Sequence, residues 1–255
     1  MHYGIEVIII FILGLVIGSF SNVCIYRIPK NESIVFPASH CTSCQTPIKA
    51  RDNIPVLSYF LLKGKCRNCG ENISIRYPIV EFLTGAVYIS IFFIYGRSMQ
   101  TLIYAILSSA LIIISFIDLD EQIIPDEISL SGIVLGFLIS FFVPYLSYFN
   151  SLLGILTGGG IIFLIALAGL AIFKKEAMGG GDVKLAAMIG AFIGWRYIIL
   201  SLFIGFFIGA VTGIVLILSK VKNKDDMIPF GPFIVLGSIL TILWGKDLLS
   251  WYFGY

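Results

Sequence analysis

The sequence predicts an all-α polytopic membrane protein of about eight transmembrane helices, with a small zinc-ribbon-like cytosolic domain inserted between the first and second helices. Three observations carry this. The chain is 58% hydrophobic and only 13% charged, with a mean hydropathy of +0.98. Apolar runs of about the 20 residues needed to cross a bilayer recur along its whole length. One polar interruption, residues 27–77, holds four of the five cysteines. A water-soluble domain of this composition would expose large apolar patches, so the bilayer is the main solvent.

By hydropathy the spans are Ile5 to Tyr26, Ile79 to Tyr95, Thr101 to Ile117, Ile128 to Phe149, Leu152 to Phe173, Val183 to Trp195, Tyr197 to Ser219 and Ile228 to Gly245. The net charge of +2 decides little, but its distribution fixes orientation, because Lys and Arg gather on the cytoplasmic side. With the N-terminus outside, 14 of the 17 basic residues fall inside, among them Lys174, Lys175, Lys222 and Lys224. Only Arg97, Arg196 and Lys246 then fall outside. Both termini are therefore expected to be extracytoplasmic. The first span has no basic segment before it and no small-residue cleavage site after it, which makes it a retained helix rather than a signal peptide. The resulting domains are 1–26, the first helix; 27–77, the cytosolic insertion; and 78–255, the remaining bundle.

Within the insertion, Cys41-Thr42-Ser43-Cys44 and Cys66-Arg67-Asn68-Cys69 form two CxxC pairs separated by 21 residues. Two such turns place four thiolates about one zinc ion, and a segment this short has too little core to fold well without a staple. Four sulfurs leave no open coordination position, so the zinc is structural. Disulfides are disfavoured in a reducing cytosol. Gly70 suits the second turn, His40 reads as a solvated loop residue, and Cys24 as a packed small hydrophobe.

Ionisable groups at membrane depth are costly and are functional candidates by default. Asp118 ends the third span, Asp182 opens the sixth behind Gly179-Gly180-Gly181, and Glu81 begins the second. The third span runs inward and the sixth outward from the same face, which places Asp118 and Asp182 at one depth. The glycines admit backbone conformations closed to other residues and close approach of a neighbour. The chain has two histidines, His2 and His40, and neither lies in the bundle. That excludes a serine–histidine dyad there and an HExxH metalloprotease. Two carboxylates sharing one proton remain, which is aspartyl-protease chemistry. A helix N-terminus favours the charged form, so Asp182 is expected to be the more ionised partner.

Gly179-Gly180-Gly181-Asp182 resembles the GxGD motif of intramembrane aspartyl peptidases, and the wider chain resembles the type IV prepilin peptidase and N-methyltransferase family, peptidase family A24. The resemblance includes Gly18-Ser19-Phe20-Ser21-Asn22-Val23, residues 52–59, residues 76–81 and Ile228-Pro229-Phe230-Gly231-Pro232. In that family the first catalytic aspartate precedes an Ile-Pro by six residues, which selects Asp118 over Asp120 and Asp126, and the second corresponds to Asp182. On a helix Asp118 and Asp120 point roughly 200° apart, so both cannot meet Asp182. Asp120, Glu121, Asp126 and Glu127 read as a solvated inner loop that attracts a basic leader.

The resemblance implies two reactions. One is removal of the short basic leader from type IV prepilins or pseudopilins at the cytoplasmic membrane; the other is N-methylation of the new terminus with S-adenosyl-L-methionine as donor. The methyl-transfer activity is placed in the cytosolic insertion, where no GxGxxG-like turn occurs. Asn53, Gly64 and Glu81 are candidates for that site, with simpler readings as a loop cap, a turn and a partner of Arg76.

Two other classes fit parts of the pattern. An ion-coupled transporter also carries bundle carboxylates, but near the bilayer midplane rather than at helix ends. A membrane-anchored zinc-ribbon binding module would use the basic insertion, yet its aromatics are few and its cations are what topology and anionic membrane lipid already demand. No nucleic-acid partner is expected, and the oligomeric state is left open.

Overall fold

The computed structural model describes residues 2–173, 178–221 and 228–254. Lys174, Lys175, Lys222 and Lys224, four of the cations on which the orientation rests, and the terminal Met1 and Tyr255 lie outside the described residues. The chain is all-helical there: α1 His2–Arg27, α2 Leu57–Leu61, α3 Arg76–Tyr95, α4 Met99–Glu121, α5 Asp126–Ile139, α6 Tyr148–Phe173, α7 Gly180–Leu218 and α8 Gly231–Phe253. It divides into two compact units, Met1–Ile113 and Ile114–Tyr255, the division falling inside α4.

Six of these helices, α1, α3, α4, α6, α7 and α8, are long and apolar enough to cross a membrane. Eight spans were expected, and the difference has two sources. The run 128–149 does not stay helical: α5 ends at Ile139 and α6 starts at Tyr148. Pro144 lies in the gap and cannot donate to a helical ladder. The 14 residues of α5 rise about 21 Å, short of a ~30 Å hydrocarbon core. The break expected between Trp195 and Tyr197 is present as a kink beside it: α7 is two helical segments joined at Gly194 (φ 78, ψ 172), and the pair counts once among the six. That φ is open to glycine and strained for residues with a Cβ.

In the first unit α1 packs on α3. Gly14 and Gly18, one turn apart on α1, let the backbones meet: a Cβ would stand 2.6 Å from the Cα of Gly85 or of Glu81. Small residues four apart are the usual means of close approach between apolar helices. The Asn22 Nδ2 then donates to the Tyr77 carbonyl at 3.1 Å, tying the end of α1 to the start of α3. Between them, residues 31–75 form turns, short helices and two isolated β-bridges, His40 with Pro47 and Lys65 with Asn72.

In the second unit α7 is central and packs against α5, α6 and α8. Gly154 on α6 and Gly190 on α7 each lie against the other's backbone, so a Cβ on either would overlap a carbonyl group. Polar side chains bridge the apolar faces: Ser151 Oγ donates to the Ala191 carbonyl at 2.8 Å, and the Ser201 and Ser238 hydroxyls are 2.7 Å apart. Gly190→Ala is expected to cost about 1–3 kcal/mol, because backbone rather than a flexible side chain must move. The measurement is the thermal unfolding midpoint of the purified protein in detergent, and an unchanged midpoint would count against this packing.

Candidate active site

Four helix ends converge in the second unit. Asp118 lies on the last turn of α4 and is 6% exposed; Asp182 lies on the first turn of α7 and is 8% exposed. The two carboxylates are near enough for the charge of Asp118 to act on Asp182. Gly231, the first residue of α8, donates its N–H to Asp118 Oδ2 at 3.0 Å. Gly179 donates its N–H to Asp182 Oδ2 at 3.3 Å, while the Asp182 N–H returns to the Gly179 carbonyl. An acidic third residue reaching back to the cap is a standard way to satisfy the free donors of a helix start. The start of α5 joins the cluster through an ion pair between Asp126 and Lys184 of α7.

The helix-end reasoning for the charge on Asp182 weighed each residue's own helix only. In the folded unit Asp118 also receives a backbone N–H from a helix N-terminus, that of α8. Sequence reasoning did not assign Gly231 this role. Its one local signal is the Gly-Pro step, since Pro is favoured where a helix begins.

The three glycines before Asp182 act differently from expectation. None of Gly179, Gly180 and Gly181 adopts a positive φ. Gly181 is held by sterics, because a Cβ there would stand 2.9 Å from the Ile124 Cβ, whereas Gly180 has open space around it. Asp120 and Glu121 belong to α4 and Asp126 and Glu127 open α5, so they flank rather than form the connecting loop; all four are exposed. The contrast of buried Asp118 with exposed Asp120 follows from helical periodicity.

A Cβ at Gly231 would stand 2.5 Å from Asp118 Oδ2. Gly231→Ala therefore has to displace that carboxylate. If Asp118 is catalytic, misplacement of this size is expected to lower kcat for leader cleavage by about 10²-fold. Single-turnover cleavage by the purified variant reads this, and wild-type kcat would remove Asp118 placement from the account.

In the first unit the sulfurs of Cys41, Cys44, Cys66 and Cys69 all lie within 4.8 Å of one another, with Cys41 and Cys69 at 3.9 Å. Tetrahedral zinc with bonds of about 2.3 Å requires sulfurs about 3.8 Å apart, so the four residues fit the metal. The two turns share one pattern. Cys41 and Cys66 each donate their N–H to the carbonyl five residues on and accept at their carbonyl from the N–H four residues on. The donor residue has a positive φ in each, Gln45 at 58 and Gly70 at 73. Hydrogen bonds with the Thr46 side chain and backbone and with Asn68 bring the Cys44 thiol down to about 6, while burial and the neighbouring thiols push Cys69 up to about 12.

Beside this cluster, still in the first unit, lies a cavity of about 520 Å³ lined by the ends of α1 and α3 and by the inserted segment. Glu81 and Asn53 line it. Glu81 accepts from the Val56 N–H at Oε2, 2.6 Å away, and also bonds the Ser19 side chain. Asn53 caps a short 3-10 turn, and Gly64 has φ 68 and lies against the Tyr59 ring.

Six helices long and apolar enough to cross a membrane, with two buried carboxylates at converging helix ends and a four-thiol cluster, define a polytopic membrane protein. Residues 12–95 match the bacterial peptidase A24 N-terminal domain, and residues 105–214 match the type IV leader peptidase family. The chain is similar to three proteins named prepilin leader peptidase/N-methyltransferase. That of Pseudomonas putida is 32% identical over 94% of this chain and 91% of its own length. The one from Bacillus subtilis is 33% identical over 96% of each, and that of Myxococcus xanthus 37% over 86% of this chain and 67% of its own. No solved structure matches. The chain belongs to the type IV leader peptidase family.

Proposed function

We propose that this protein removes the short basic leader of type IV prepilins or pseudopilins with Asp118 and Asp182 as an acid–base pair, and then methylates the newly exposed amine. The observation that carries the reading is two buried carboxylates, each held by a backbone N–H at converging helix ends, in a member of the leader peptidase family. One aspartate, ionised, takes a proton from a water between them as the water oxygen bonds to the scissile carbonyl carbon. The other, protonated, gives its proton to the carbonyl oxygen; as the resulting diol collapses and the C–N bond breaks, the first aspartate passes the water proton to the leaving amine and the second recovers its proton from a diol hydroxyl. Gly179 and Gly231 fix the carboxylates by hydrogen bonding. The scissile segment has to be unwound, since a helical amide is shielded by its own hydrogen bonds. The exposed Asp120, Glu121, Asp126 and Glu127 attract the basic leader.

The proposed setting is the inner membrane, with the eight apolar segments crossing it, residues 27–77 in the cytosol and both termini outside. Cys41, Cys44, Cys66 and Cys69 hold structural zinc in a ribbon-like fold. S-adenosylmethionine, when bound, supplies the methyl group: the amine lone pair forms the N–C bond, the S–C pair returns to sulfur, and a proton leaves the nitrogen. Mass spectrometry of a co-expressed prepilin tests the whole. Loss of the leader mass together with gain of one methyl at the new N-terminus is expected, and an intact prepilin would overturn the reading.

A further inference from the structure

We propose that the cavity in the first unit, lined by Asn22 of α1, Glu81 of α3 and Val56 of the inserted segment, is the binding site for the methyl donor. The inference rests on the methyl-transfer half of the proposed function and assigns it a place. Its volume, about 520 Å³, falls within the ~300–1,000 Å³ typical of small-molecule sites.

The lining carries the marks of a built site. Asn22 is 2% exposed; its Nδ2 donates to the Gly18 and Tyr77 carbonyls, while its Oδ1 is buried and accepts no hydrogen bond. A buried acceptor without a donor costs about 1–3 kcal/mol, and a ligand N–H or O–H relieves it. Glu81 is 7% exposed and takes one short hydrogen bond from Val56. Its carboxyl is the buried acid of the lining. Of the other two acids in the lining, Glu71 is exposed, and Asp52 is already held by two nitrogens of Arg67, which keep its carboxyl below the usual range.

Val56 is strained. It sits at φ 62, ψ −50, with the Leu57 N–H reaching the Pro55 carbonyl at 2.6 Å, a positive-φ γ-turn that β-branched residues rarely enter. Strain of this kind persists where surroundings impose it and gathers at ligand sites. Here the imposing group is Glu81, which clamps the Val56 N–H from the neighbouring helix.

Donor chemistry matches the lining group by group. A sulfonium and an ammonium call for a buried carboxyl that ionises beside a cation, which Glu81 supplies. A purine calls for an aromatic face and a polar edge, which Tyr59, Tyr77 and the free Asn22 oxygen supply. The lining also carries cations, among them Lys49, so a donor with both a sulfonium and a carboxylate meets a counter-charge for each.

The test is titration calorimetry of S-adenosylhomocysteine and S-adenosylmethionine into the full-length, zinc-loaded protein, with Glu81→Gln and Asn22→Ala alongside. Zinc content and unfolding midpoint serve as folding controls. Ultraviolet photolabelling of the wild type with methyl-tritiated S-adenosylmethionine then locates the donor without any variant. Expected are binding by the wild type, at least 10-fold weaker S-adenosylmethionine binding by Glu81→Gln with a smaller loss for S-adenosylhomocysteine, which lacks the sulfonium charge, and label within residues 19–81. Binding by the wild type with label elsewhere, or undiminished affinity in both folded variants, overturns the site and leaves methyl transfer standing. A wild type that cleaves prepilin but binds neither compound overturns methyl transfer and this site together.

Discussion

Asp118→Asn and Asp182→Asn are each expected to reduce leader cleavage by about 10³-fold or more, while the protein keeps its zinc and its helical content. Asparagine preserves shape and still accepts the Gly231 or Gly179 N–H, so the hydrogen bonds that hold these side chains survive. What is lost is a group able to take or give a proton, a role worth roughly 10²–10⁴-fold in rate. Because one member activates the water and the other protonates the carbonyl, either loss disables both steps. Single-turnover assays with purified prepilin in detergent measure this, and zinc analysis separates catalytic loss from misfolding. Substantial cleavage by either variant would remove that residue from the chemistry.

Stripping the metal is expected to have the next largest effect. Between residues 31 and 75 only Ser58 is buried, so the inserted segment has almost no core of its own. Its organisation depends on the two thiol turns meeting at one point. The paired substitution Cys41→Ser with Cys66→Ser, or a strong chelator, removes a ligand-linked stabilisation that at saturating metal is worth a population factor on the order of 10² or more. Limited proteolysis within residues 31–75 should accelerate by about that factor. An unaltered cleavage pattern in verified metal-free protein would show that the segment folds without zinc.

What the sequence makes legible follows from how local each signal is. The four cysteines declare themselves because ligand spacing within a turn is set by a few residues. Asp118 and Asp182 stand out because few ionisable groups interrupt the apolar runs and histidine is missing from the bundle. The apolar runs were legible as helices, but their ends were not. Hydropathy cannot show that the chain leaves the helix before Pro144, although the break it gave after Trp195 lies beside the kink at Gly194. The expected glycine freedom before Asp182 did not appear, because steric clearance at Ile124, rather than unusual φ, is what Gly181 meets. Long-range partners were hidden for a different reason. Gly231 lies 113 residues from Asp118, and Glu81 lies 25 from Val56, so neither bond leaves a periodic trace. Arg76 looked like the natural partner of Glu81 by charge; the backbone of a strained turn takes that place.

The most direct test of the aspartate pair is a double-mutant cycle on leader cleavage, comparing Asp118→Asn, Asp182→Asn and the double variant in single-turnover assays on one prepilin. Residues that act as a unit are strongly non-additive, so the double variant should cleave no more slowly than either single one. Losses that multiply in the double variant would mean two independent groups, and the shared acid–base mechanism would be wrong.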